Sequence, residues 1–226
     1  NSVIRKGIGP NAIDGEKITK AIVKYCTPGN IAAFGVESFD LEVVKANKLN
    51  TAPNTAMKAI EIINKYGEER GENGLHKFLP GINLIFGLLN ENKKTHEANI
   101  AALKKVIGDG LLLRRINLRQ VAVMPNTYLE LHGGNKFLRK NKKYYWKWRN
   151  QIRQEIDYPM LKLLFPTGTI LKDVWTEMYD GKTTFCRQMA TYPIVIGVKG
   201  RLPLNEKINV KVIDHMLRGL VAEVIK

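Results

Sequence analysis

Residues 81–91 read GINLIFGLLNE, and residues 92–107, NKKTHEANIAALKKVI, follow at once. The first stretch is a short apolar run that ends at a glycine and passes an acidic turn. The second has the spacing of an amphipathic helix. A strand that opens into a helix through a Gly-x-x-x-Glu turn is a unit of parallel β/α proteins, which bind ligands at the carboxyl ends of their strands.

Working outward, IAAFGVES (31–38) is a second apolar run with a polar end, consistent with a buried strand. FDLEVVKANKL predicts a short helix with Asp40 as N-cap. TAPNTAMKAIEIINKYG predicts a full helix opened by Thr51 and Pro53 and stopped at Gly67. Earlier, EKITKAIVKYC (16–26) places Ile18, Ala21, Ile22 and Tyr25 on one helical face, and EERGENGLHKF reads as a loop before a strand at 79–87. Downstream, LLLRRINLRQVAVM holds a third strand at 116–123, followed by a turn-rich PNTYLELHGGN. The order helix, strand, helix, strand, helix, strand argues for parallel β/α units. Glycine and polar residues collect at the strand ends, Glu37–Ser38, Gly87–Glu91 and Val123–Thr127, while the strand bodies are apolar.

The pattern then changes. KFLRKNKKYYWKWRNQIRQEI (136–156) predicts one long helix with an apolar stripe of Leu138, Tyr145, Trp148, Ile152 and Ile156 and a dense set of Lys and Arg elsewhere. From Phe165 the spacing is that of short strands, with a hairpin at Asp180-Gly181. The fold class is therefore α/β, with residues 1–134 as β/α units, 135–164 as a basic connecting helix and 165–226 as a small all-β domain.

Net charge sharpens this division. Residues 1–110 carry 15 Lys/Arg against 12 Asp/Glu, whereas residues 111–226 carry 21 against 9, so +12 of the total +15 lies in the second half. Such a field favours a polyanion such as nucleic acid, or an anionic membrane surface. No apolar run reaches the length of a membrane span, and the leading NSVIRKGIGPNAIDG lacks the apolar core of a signal peptide, so no membrane partner and a cytoplasmic location are expected. Cys26 and Cys186 form no C-x-x-C pair and the four histidines show no ligand spacing, so the sequence contains no complete metal site.

Taken together, three segments resemble the radical S-adenosylmethionine (radical SAM) enzymes. IAAFGVESFDLEVVKANKLNT resembles the fourth strand of that barrel, GINLIFGLLNE the fifth and INLRQVAVMPNT the sixth. The last 60 or so residues resemble a TRAM-like β-barrel, the nucleic-acid-binding module of tRNA methylthiotransferases, and archaeal radical SAM proteins share the layout, including FPTGTILKDV and NVKVIDH. The resemblance implies a partial (β/α) barrel, the C-terminal strands of a radical SAM core, joined to a small C-terminal β-barrel. It also implies S-adenosylmethionine and a [4Fe–4S] cluster as cofactors, with RNA, tRNA among the options, as partner. The chain lacks the C-x-x-x-C-x-x-C loop that holds the cluster and the glycine-rich motif of the second strand, and Leu89-Asn90 replaces the usual Pro-Gly. It therefore reads as the C-terminal portion of a larger enzyme, needing the N-terminal half of the barrel as partner and inactive by itself. A nucleic-acid-binding protein without chemistry is the alternative.

Within the resemblance, Glu37, Ser38, Asn83, Ile85, Gly87 and Arg119 are the cofactor-binding candidates. Glu37 and Ser38 suit ribose hydroxyls, Ile85 suits adenine, and Gly87 lets the chain approach a ligand. Arg119 either reaches the SAM carboxylate or pairs with Glu37. Glu91 is placed to cap the helix that follows it. The nucleic-acid candidates are Lys140, Lys143, Lys147, Arg149, Arg153, Lys172 and Arg187 for phosphates, with Tyr144 and Trp146 for stacking on bases.

Overall fold

A computed structural model describes residues 12–225. The opening NSVIRKGIGPN, part of the stretch read for a signal peptide, lies outside them. Three parallel strands, β1 (Asn30–Glu37), β2 (Phe78–Phe86) and β3 (Arg115–Gln120), form a sheet in that order. The helices around them are α1 (Ala12–Tyr25), α2 (Leu41–Ala46), α3 (Pro53–Gly67) and α4 (Lys93–Gly108).

Local chemistry sets these boundaries. The Asp40 side chain accepts from the Glu42 N–H and starts α2, and Pro53 occupies the first turn of α3, where its missing N–H costs nothing. Asn92 and Thr95 form a reciprocal capping box at the start of α4. Two expectations are corrected here. Strand β3 stops at Gln120 rather than 123, because β2 ends at Phe86 and leaves it no ladder beyond one bond from Val121 N–H to the Phe86 carbonyl. Tyr25 is 77% exposed, so α1 buries Thr19 and half-buries Ile18, Ile22 and Val23 instead.

Even-numbered strand residues (Ala32, Phe34, Val36; Ile82, Leu84, Phe86; Ile116, Leu118) enter the core with Ile60, Ile63, Leu103 and Val106 of the helices. The odd-numbered ones, apart from buried Leu79 and Gly81, stand half-open or exposed. One sheet face is thus committed to packing, and the other carries Asn83, Asn117 and Arg119.

After β3 come α5 (Tyr128–Leu131), within the stretch read as turns, then α6 (Gly134–Ile152), a π-helical turn (Arg153–Asp157) and α7 (Tyr158–Leu164). The helix read as continuous over 136–156 leaves α geometry at Arg153. Pro159 has no N–H to donate and its ring would crowd the carbonyl four residues back, so the chain widens ahead of it. Trp148, Ile152 and Ile156 are buried as a stripe.

Strands β4 (Ile170–Asp180), β5 (Thr183–Gln188), β6 (Val195–Lys199), β7 (Lys207–Met216) and β8 (Gly219–Ile225) close a five-stranded barrel in the order β4-β5-β6-β8-β7. Leu171, Val174, Cys186, Ile196, Val210, Val212, Leu220 and Ala222 fill its interior. The protein is therefore mixed α/β with a small closed C-terminal barrel. No described helix is long and apolar enough to cross a membrane.

Candidate functional site

The open sheet face is polar for a reason visible in the register. Gly35 on β1 lies opposite Asn83 on β2, which lies opposite Asn117 on β3. The register slips after Gly35, and Glu37 adopts φ +63°. This turns the Glu37 carboxylate back over Gly35, where a Cβ would stand 2.1 Å from Oε1. Only glycine leaves that space. Asn83 and Asn117 meet through their amides at 3.1 Å. When the Asn117 amide is turned so that its oxygen faces Arg119, that oxygen accepts from the guanidinium Nε at 2.7 Å and no longer donates to the Asn83 oxygen. Ile85, half-buried, is in register with Arg119.

The face therefore brings together Glu37, Asn83, Ile85 and Arg119. It adds Asn117, which sequence reasoning missed although it stands two residues from Arg119 on the same strand. Arg119 is exposed and is held by Asn117. Ser38 is not on this face: it is buried, and its hydroxyl accepts from the Asp40 N–H inside the β1–α2 turn.

Gly87 plays a different part from the one expected. At φ +93° its hydrogen faces α6, and a Cβ there would come 2.8 Å from Leu138 Cδ1 and 3.0 Å from Val121 Cγ1. The close approach at this hydrogen is made by Leu138 of α6 and by Val121. Glu91 does not cap α4, a task that falls to Asn92. Its carboxylate instead reaches back to accept from the N–H groups of Gly87 (2.5 Å) and Leu88 (3.2 Å), while Asn141 of α6 donates to its carbonyl. Burial pushes the Glu91 carboxyl up to about 7 against those two hydrogen bonds, and Oε1 is buried with no partner among the described residues.

On α6, Lys140, Lys143, Tyr144, Trp146 and Lys147 are exposed together. Tyr144 stacks on the buried Trp148 at 5.5 Å, and Trp148 stacks in turn on His96 at 4.8 Å. The Lys143 ammonium lies 4.9 Å from the Tyr144 ring, and the Arg149 guanidinium 5.2 Å from the Trp146 ring. These are aromatic faces with cations attached, the arrangement that single-stranded nucleic acid uses.

Three expected contacts stand apart from this face. Arg153 is half-buried, pairs with Asp157 and donates to the Ile116 carbonyl at 3.1 Å. Arg187 is bound to Glu177 at 2.6 Å. Lys172 lines a separate cleft of about 760 Å³ with Arg70, Lys77, Trp175, Met189 and Lys207, between the barrel and the loop before β2.

Cys26 is exposed beyond α1 and Cys186 is buried inside the barrel. Burial, with a smaller push from Glu177, lifts the Cys186 thiol to about 11, so it offers no thiolate. Among the described residues no group of three His, Cys, Asp or Glu is placed to hold a metal ion.

No protein-family model matches the chain. A protein of Archaeoglobus fulgidus described as uncharacterized is 42% identical over 222 residues, which is 98% of this chain and 42% of that protein. An uncharacterized protein of Methanocaldococcus jannaschii is 42% identical over 215 residues, 94% of this chain and 39% of that protein. The chain thus spans about two-fifths of the length of the curated relatives it matches.

Proposed function

We propose that this chain is the C-terminal portion of a radical SAM enzyme acting on RNA. In this reading the open sheet face is one wall of the S-adenosylmethionine site, and α6 with the barrel presents the nucleic acid. The observation that carries it is the polar row across three parallel strands: the Glu37 carboxylate folded over Gly35, then Asn83, Asn117 and Arg119, with Ile85 beside them. This set suits S-adenosylmethionine. A carboxylate accepts from ribose hydroxyls, an apolar side chain packs on adenine, and a guanidinium faces the methionine carboxylate.

The iron–sulfur cluster is a different matter. Neither the lone exposed Cys26 nor the buried, protonated Cys186 suits it, so these residues supply no cluster ligand. In the full-length protein the cluster would supply the electron that cleaves S-adenosylmethionine reductively. The residues described here hold, orient and shield the nucleoside.

The test uses the full-length protein purified without oxygen. The expected result is about four irons per chain and release of 5′-deoxyadenosine from S-adenosylmethionine under reducing conditions, with Glu37→Gln raising the KM for S-adenosylmethionine. Absence of both iron and nucleoside would overturn the reading and leave a nucleic-acid-binding protein.

A further inference from the structure

Where β3, the π turn and the barrel meet, Arg114, Arg115, Arg153 and Arg218 line a cleft with one carboxylate, Asp157, and the charge of Arg149 acts on it from α6. The cleft, of about 320 Å³, is also lined by Asn117 and Tyr192 among others. The guanidinium groups of Arg115, Arg153 and Arg218 each arrive from a different element. Arg115 begins β3, and its guanidinium carbon lies 3.6 Å from the centre of the Tyr192 ring, which supports it. Arg153 opens the π turn; its Nη1 is used by Asp157 and the Ile116 carbonyl, but its Nε is buried with no partner among the described residues. Arg218 stands exposed in the turn between β7 and β8. Arg149 is one helical turn before Arg153 on α6.

These groups feel one another. Partial desolvation, and then the charges of Arg153, Arg149 and Arg115, lower the pKa of Arg218, with only Asp157 acting the other way. Burial raises the pKa of Asp157 against the pull of Arg153, Arg218 and Arg149. One carboxylate cannot neutralise four guanidinium groups, so the cluster carries excess positive charge that a structural ion-pair network would not need. Planar forks fixed by stacking and carbonyl contacts match phosphate oxygens in pairs. A buried N–H without a partner calls for an acceptor, and π turns recur at functional sites.

We propose that this cleft is a phosphate-binding site, with Arg115, Arg153 and Arg218 grasping one phosphate group. The phosphate belongs either to an RNA backbone or to a free phosphate compound. The RNA source is favoured by Arg149, whose guanidinium also covers Trp146 and so joins the cleft to the exposed aromatic face of α6. The proposal does not rest on the S-adenosylmethionine reading, and its readouts do not involve that nucleoside.

The test compares this chain with Arg218→Ala, Arg115→Met and Arg218→Lys. Affinity for a fluorescein-labelled single-stranded RNA is read by anisotropy over a range of KCl, and inorganic phosphate binding by titration calorimetry. Each arginine loss is expected to weaken RNA binding roughly tenfold and to reduce the slope of log affinity against log salt by about one. Arg218→Lys recovers only part, because it keeps the charge without the fork. Phosphate binding weakened with RNA binding unchanged would also support the site and assign it to a free phosphate compound. The melting temperature of unliganded Arg218→Ala stays level or rises, since a like charge has gone, whereas a structural network would lose stability. Unchanged binding of both ligands by folded variants would overturn the proposal.

Discussion

Glu91 gives the sharpest test of the turn after β2, because its behaviour follows from geometry alone. The side chain is 2% exposed and accepts two backbone N–H groups, yet burial outweighs them and moves its pKa from 4.5 to about 7. A shift of that size corresponds to roughly 3 kcal/mol of differential stability. In the unfolded chain the carboxyl loses its proton near 4.5; in the folded chain it keeps it until about 7. Between those values the folded state binds the proton that the unfolded state has released. Stability from this group is therefore complete below about pH 4.5, falls as pH rises through the window and levels off above 7. Glu91→Gln keeps an acceptor for the Gly87 and Leu88 N–H groups and never ionises. Urea unfolding at pH 4.5, 6, 7 and 8 should show the two proteins nearly equal at the acid end. The variant should be the more stable by roughly 3 kcal/mol at pH 8. Other buried titrating groups, such as His76 and His96, whose pKa values burial lowers, cancel in the difference. A gap between the two proteins that does not change with pH would refute the assignment of Glu91 as a buried carboxyl ionising near neutrality.

Three further outcomes are expected. Gly87→Ala should lower stability by about 1–3 kcal/mol in thermal melts, through its left-handed backbone and the clash with Leu138, and Leu138→Ala should recover part of that loss. Asn92→Ala should cost about 1 kcal/mol by removing the side-chain half of the α4 capping box. Tyr144→Ala and Trp146→Ala should each weaken single-stranded RNA binding by about 1–3 kcal/mol with an unchanged salt slope, whereas Lys140→Ala should lower the slope.

The parts of this fold that the sequence displayed are those governed by short-range rules. Pro53 and Gly67 bracket α3 as written, Asp40 starts α2, and Asp180-Gly181 marks the β4–β5 turn, because each acts within a few residues of itself. What it hid depends on partners distant in the chain. Gly87 reads as room for a ligand until Leu138, 51 positions later, is found in that room. Arg153 reads as one more cation on a basic helix, but the π turn aims it at Ile116 and Asp157. The arginine cleft draws on β3, α6, the π turn and the β7–β8 turn, and no local pattern links Arg115 to Arg218. Asn117 is a miss of another kind: its alternation with Arg119 on a strand already recognised places both on one face, yet the sequence reading does not single it out.

The two halves of the chain are fixed to one another, and that bears on function. The Gln188 amide of the barrel donates to the carbonyls of Asn73 and Lys172 at 2.6 Å each. Arg70 of the β/α part donates to the Leu164 carbonyl at 2.6 Å, and the half-buried Arg114 to the Tyr192 carbonyl at 2.9 Å. Burial holds the pKa of Arg114 down to about 10, so it stays charged at neutral pH and its carbonyl contact is charge-assisted. A flexible tether would let the barrel capture RNA anywhere in a sphere around the sheet. A joint made of half-buried guanidinium contacts and a buried amide instead holds the arginine cleft and the open sheet face in one orientation. The cleft lies at the amino end of β3, where Arg115 begins the strand, and the polar row runs toward the carboxyl ends, where Glu37 and Arg119 stand. A phosphate held at the first would therefore set how far along the strands a bound nucleotide can reach the second. If both proposals hold, the separation between anchor and reacting nucleotide is a property of the fold, not of the RNA.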